Sequence, residues 1–161
     1  MVTVAIIGIL MAAGIVAFSN VQKSARDAKR RADVDAIAKA QEQRYQDTGN
    51  YASAVDANSY SSSTWNDATR KAELGIYFPS GSLPTDVLNT ATYNYRVVSI
   101  DQNRTGAANP QTRFCVLARL ENGKGNCSGY TGSDWGGNPN SMKCNFVTPG
   151  TGQYYCASSR Q

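Results

Sequence analysis

The chain opens on an apolar run over residues 1–21, MVTVAIIGILMAAGIVAFSNV. No charge appears before Lys23, and Thr3 is the only strongly polar residue before Ser19. A run of about 18 such residues meets the minimum for a helix that crosses a bilayer. Apart from Gly8 and Gly14, neither Gly nor Pro occurs before Gly49, so nothing obvious breaks a helix over that interval. Apolar side chains surround this first half instead of forming one stripe, as in a segment buried on every side. Over residues 23–48, KSARDAKRRADVDAIAKAQEQRYQDT, the pattern becomes amphipathic. At about 100° per residue, Ala25, Ala28, Ala32 and Ala36, with Ala40 at the margin, share one face. Val34, Ile37, Ala38 and Tyr45, with Gln41 among them, fall roughly opposite. The larger stripe is expected to pack on the chain's own sheet through Val34, Ile37 and Tyr45. The alanine stripe is left for a neighbouring helix. Gly49 should close the helix by taking the left-handed C-terminal conformation. The expected element is one rod of about 50 residues, about 75 Å long.

Beyond Tyr51 the pattern loosens. Residues 52–66 are rich in Ser and Ala without apolar periodicity and read as a surface loop. Residues 67–74 suit a short helix capped by Asn66 or Asp67. Residues 75–89, with Pro79 and Pro84, read as extended loop. TYNYRVVSID over 92–101 and RFCVLARLE over 113–121 alternate as strands do. The stretch 122–126, NGKGN, is a turn sequence, and residues 129–140 read as an irregular Gly-rich loop. Pro149-Gly150-Thr151 centres a hairpin-like segment at 142–158. The organisation expected is a hydrophobic half-helix at 1–22, an amphipathic half at 23–50, a connection with a short helix at 51–91, and an antiparallel sheet with a disulfide-bonded end at 92–161.

The four cysteines, at 115, 127, 144 and 156, lie in the last 47 residues, which suggests two disulfides and an oxidising compartment. Folding the chain about Gly150 puts Cys144 opposite Cys156, at a spacing a disulfide accepts. That pairs Cys144 with Cys156 and, by elimination, Cys115 with Cys127; the two crossed connectivities stay open. Without His or any C-x₂-C pair, zinc is not expected.

The first 51 residues, ending in QDTGNY, resemble the N-terminal helix of type IV pilins and their pseudopilin relatives. In that family a short apolar segment containing a Glu precedes the residues seen here, so the resemblance implies that the mature chain extends further toward its N-terminus. The Pro common midway along the family's apolar run is missing; Val16 lies near its place, which leaves Gly8 and Gly14 as the soft points. Residues 83–86, LPTD, look like the family's connection from helix to sheet. The implied fold is α+β, type IV pilin-like, with the long helix packed on a roughly four-stranded antiparallel sheet. The implied function is that of a major pilin, the structural subunit of an extracellular helical filament that supports adhesion or twitching motility. Val4, Ile6, Ile7, Gly8, Leu10, Gly14, Ile15 and Phe18 would form the membrane segment and then the filament core. Ala25, Ala28, Ala32 and Ala36 would form the inter-subunit face. Implied partners are further copies of the chain, the inner membrane before assembly, and a prepilin peptidase, platform and assembly ATPase. A pseudopilin of a secretion or DNA-uptake machine is the alternative, followed by a membrane-anchored binding domain that never polymerises.

Charge alters little of this. The net +4 is shared between residues 23–35, with five basic and three acidic groups, and the remainder, with eleven and nine. Lys29-Arg30-Arg31 alternates with Asp27, Asp33 and Asp35 and reads as a solvated, salt-bridged helix surface. DNA binding through Lys23, Arg26, Lys29, Arg30 and Arg31 is a minor alternative. That cluster alone would put the cysteines in the cytoplasm by the positive-inside rule. The cysteines argue for the cell surface, and they decide the expectation. Asp134, Asn138 and Asn140 carry calcium-type oxygen ligands, as in some pseudopilins, but a single carboxylate favours a plain loop. Asn103-Arg-Thr and Asn126-Cys-Ser are N-glycosylation triplets, and Ser61–Ser63 could carry O-linked sugar. No nucleophile–base pair can be named, so neither an enzyme nor a cofactor is expected.

Overall fold

The computed structural model describes residues 2–52, 68–90, 92–101, 111–131 and 143–159; within these, the side chains of residues 12–17, 69–70, 98–101, 111–112, 130–131 and 143 are not described. A 47-residue helix, α1 (Val2–Thr48), is followed by α2 (Ala68–Leu74) and a 3₁₀ turn (Gly75–Tyr77). Five strands come next: β1 (Tyr95–Asp101), β2 (Gln111–Arg119), β3 (Cys127–Thr131), β4 (Lys143–Phe146) and β5 (Tyr154–Ser158). At 1.5 Å per residue α1 is about 70 Å long. Gly49 ends it as expected, with φ at 72° and its N–H donated to the Tyr45 carbonyl at 2.8 Å.

The strands form one antiparallel sheet in the order β1-β2-β5-β3-β4. Five strands stand where about four were expected, because β3 occupies residues assigned in part to the Gly-rich loop. Side chains of β2 alternate between two cores. Phe114, Val116 and Ala118 join Tyr95 and Val97 of β1 against Val34, Ile37 and Ala40 of α1. Cys115 and Leu117 point to the opposite face, into a second core with Cys127, Cys144 and Cys156. Tyr51 seals the lower end of the first core, stacked on Tyr45 at 4.5 Å and edge-on to Phe114 at 4.8 Å.

The disulfides correct the expected pairing: Cys115 is bonded to Cys144 and Cys127 to Cys156, with Cα separations of 5.6 and 6.0 Å. The symmetric fold about Gly150 required β4 and β5 to be neighbours. Instead β3 lies between them, Cys144 sits opposite Tyr130, and Cys127 sits opposite Tyr154. A flat sheet would hold β2 and β4 about 14 Å apart, three strand spacings. The Cys115–Cys144 bond therefore requires the sheet to curl until its outer face closes on itself. The segment after Gly150 lies on Gly125, which accepts from the N–H groups of Gly150 and Gly152 and donates to the Gly152 carbonyl. Both glycines are obligatory: a Cβ on Gly152 would meet the Cys127 backbone, and one on Gly125 the Tyr154 backbone.

Candidate functional site

Among the described residues nothing covers the apolar side chains in the N-terminal half of α1. Val2, Val4, Ile6, Ile7, Ile9, Leu10, Met11, Phe18 and Val21 are all more than half exposed, Val4 at 73%. A Cβ on Gly8 would meet open space. Of the expected filament-core residues, Val4, Ile6, Ile7, Leu10 and Phe18 are thus solvent-facing, while the side-chain positions of Gly14 and Ile15 lie outside the description. Among the described residues no helix is long and apolar enough to cross a membrane. Ala25, Ala28 and Ala32 extend the bare surface into the second half of the helix, and Ala36 is half-buried. Ala40, the marginal member of that stripe, belongs to the core. Val34 and Ile37 are fully buried against the sheet, and Tyr45 packs at the core's margin.

An ion cluster fixes this helix to the domain where the bare half ends. Arg30, expected on a solvated surface, is 1% exposed. Its Nε and Nη2 donate to the two Asp86 oxygens at 2.5 and 3.2 Å, and its Nη1 donates to Asp27 at 2.9 Å and Glu121 at 2.8 Å. Arg26 grips Glu121 with two parallel bonds of 2.7 Å. Asp27 accepts the backbone N–H groups of Glu121 and Asn122, tying the helix to the end of β2. Asp86 caps its own loop by accepting from Leu88 N–H at 2.8 Å, and the Tyr93 ring lies 4.6 Å from the Arg30 guanidinium carbon. Three carboxylates thus surround two guanidinium groups, and Asp27 and Asp86 also accept from backbone N–H groups. Burial opposes the charge on Arg30, but the hydrogen bonds to Asp86 and Glu121 outweigh it and raise its pKa. The Arg26 hydrogen bond, helped by Arg30, holds the Glu121 carboxyl down at about 2 against the cost of burial.

The sequence did carry a signal for this cluster. Asp27, Arg30, Val34, Ile37 and Gln41 are spaced 3, 4, 3 and 4 residues apart, one continuous stripe, and all five are buried. Reading the charges as a group by sign hid two of its members. The stripe ends at Gln41, whose Oε1 accepts from Ala52 N–H at 2.8 Å and pins the chain as it leaves the helix. Further along, Tyr95 donates to Asp33 at 2.5 Å, and burial raises the phenol's pKa.

Other expected sites fare differently. With Arg26 and Arg30 turned to carboxylates, the proposed nucleic-acid patch keeps only Lys23, Lys29 and Arg31. The Asn126 amide is spent on the backbone of Cys156, donating at 3.0 Å and accepting at 2.7 Å, so this triplet splices β5 to the β3 entry. Asp134, Asn138, Asn140, Asn103 and Ser61–Ser63 lie outside the described residues. The sulfurs of Cys115, Cys144 and Cys156 lie within 4.8 Å of one another, but both disulfides are closed. Comparison with family models, characterised proteins and solved structures finds no match to this chain.

Proposed function

We propose that this chain is a type IV pilin-like structural subunit, the repeated protein of an extracellular helical filament that serves adhesion or motility. The observation that carries the reading is the division of α1. Its uncharged apolar half is bare, while its other half is locked to a disulfide-bonded domain by the Arg30 cluster. Apolar surface on that scale is stable only in lipid or in a bundle of like helices. Each fully buried Ile, Leu or Val would contribute about 1.5–3 kcal/mol to such a bundle. Copies joined head to tail by contacts that do not close form a filament. The alanine face at residues 25, 28 and 32 allows close approach of a neighbouring helix just beyond the apolar half. Two disulfides fit an extracytoplasmic location. Assembly would draw on a peptidase, a platform and an ATPase supplied by other proteins, with the membrane as the store before assembly.

The test is electron microscopy and mass spectrometry of filaments sheared from the native cell. This chain should dominate thin, regular fibres and carry both disulfides. If it stays in the membrane fraction and no fibre contains it, the reading fails, and a short pseudopilus or an anchored domain takes its place.

A further inference from the structure

Where the apolar half of α1 ends, a groove of about 440 Å³ opens between the helix and the loop after β2. It is lined by Asn20, Ser24, Asp27, Ala28 and Arg31 of the helix and by Asn122 and Lys124 of the loop. Two cations, Arg31 and Lys124, and one carboxylate, Asp27, line it. Asp27 is engaged by Arg30 and by two backbone N–H groups. Arg31 and Lys124 form no ion pair among the described residues. The Arg31 guanidinium is held in place by its bond to the Lys124 carbonyl at 2.8 Å and by the Tyr155 ring, 5.8 Å from its central carbon. Its Nε is buried, with no hydrogen-bond partner among the described residues, which leaves the Nη groups to serve the groove. Amide groups at Asn20 and Asn122 and the Ser24 hydroxyl add neutral donors around the two cations.

We propose that this groove binds a phosphate group, and that in the stored subunit the phosphate is the headgroup of an anionic phospholipid. The second part rests on the membrane-stored subunit argued above. A fixed guanidinium, an exposed ammonium and neutral donors suit a multi-oxygen anion better than a single carboxylate. The height of the groove suits a lipid. Asn20 sits at the last turn of the apolar run, and Ser24 lies about 6 Å further along the axis. Helical side chains lean toward the N-terminus, so the Arg31 guanidinium reaches back from its own Cα toward that level. The headgroup layer on each side of a bilayer is roughly 5–8 Å deep, which matches the Asn20–Ser24 end of the groove; the Arg31 Cα lies about 16 Å from Asn20 along the axis.

The experiment uses the full chain with both disulfides closed. Partition into phosphatidylglycerol vesicles is compared with partition into phosphatidylcholine vesicles, for the wild type and for Arg31→Lys and Lys124→Gln. In non-ionic detergent, inorganic phosphate is titrated while the Arg31 Nε–H resonance is followed. The wild type should prefer phosphatidylglycerol, and Lys124→Gln should reduce that preference roughly fivefold, the effect of one surface cation. Arg31→Lys keeps the charge but loses the planar donor geometry, so it should fall as well. Diffuse attraction to the surface would leave it unchanged, and that result overturns the site. A saturable shift with inorganic phosphate, with no preference between vesicles, keeps the phosphate site and overturns the lipid as its source. No shift and no preference overturn both parts. Since none of these readouts depends on fibres, a chain that never polymerises would sink the filament reading without deciding the groove.

Discussion

The two halves of α1 invert the usual relation between residue type and burial. Val4 is 73% exposed in the first half, while Arg30 is 1% exposed in the second. Both belong to one uninterrupted helix, so secondary structure does not explain the difference. What differs is the neighbour. Residues 27–41 have the domain beside them, which brings Asp86 and Glu121 to the guanidinium, whereas the apolar side chains described in residues 2–21 are more than half exposed. A charge is buried where carboxylates pair with it, and apolar groups stay bare where no partner is packed on them. The comparison teaches that burial along this helix follows the neighbour and not the residue type; on the proposed reading, cover for the first half comes from outside the chain.

The contrast can be broken most strongly at the anchor. Arg30→Met puts an apolar group where a charge is buried, yet it leaves Asp86 and part of Asp27 without their cation. A loss of about 3–5 kcal/mol is expected, read by urea denaturation of the detergent-solubilised chain. Removal of the Cys115–Cys144 bond by joint substitution to Ala comes next. Its 29-residue separation predicts a loss of about 3.5 kcal/mol by constraint of the unfolded chain. Peptide mapping without reduction should recover Cys115 with Cys144 and Cys127 with Cys156.

Titration sharpens the same contrast. Glu121 has a folded pKa of about 2 and an ordinary value near 4.5 when unfolded. Its contribution is therefore complete above the ordinary value and is lost as pH falls from about 5 toward 2, where the unfolded chain takes up the proton first. Thermal melts across that window should show the decline, and Glu121→Gln should flatten it. The smallest stability effect is expected in the bare half. Ile7→Asp and Ala28→Glu add a charge to exposed positions and should change the unfolding free energy by no more than about 0.5 kcal/mol. Both should nevertheless abolish fibre formation, scored by sedimentation and microscopy.

Much of this helix was legible beforehand because its cues are local. The apolar run, the Val34–Ile37 stripe and the Gly49 stop each depend on spacing within a few residues. The alternation of β1 and β2 could be read the same way. The order of the remaining strands could not, since the insertion of β3 between β4 and β5 is a non-local choice. A turn at Pro149-Gly150 is equally compatible with a hairpin and with the crossing observed, and the wrong disulfides followed from the hairpin. Arg30 was missed for a related reason: its partners, Asp86 and Glu121, lie 56 and 91 residues away. Only its place on the Val34–Ile37 stripe pointed inward.

The central claim is that the bare half of α1 is completed by other copies of the chain. Electron cryomicroscopy of the isolated fibre tests it most directly, by locating residues 2–21 relative to the axis. The account predicts these helices bundled at the centre, with Ala25, Ala28 and Ala32 against a neighbouring helix and the disulfide-bonded domain outside. A fibre in which residues 2–21 face solvent, or whose subunits touch only through their sheets, would contradict it.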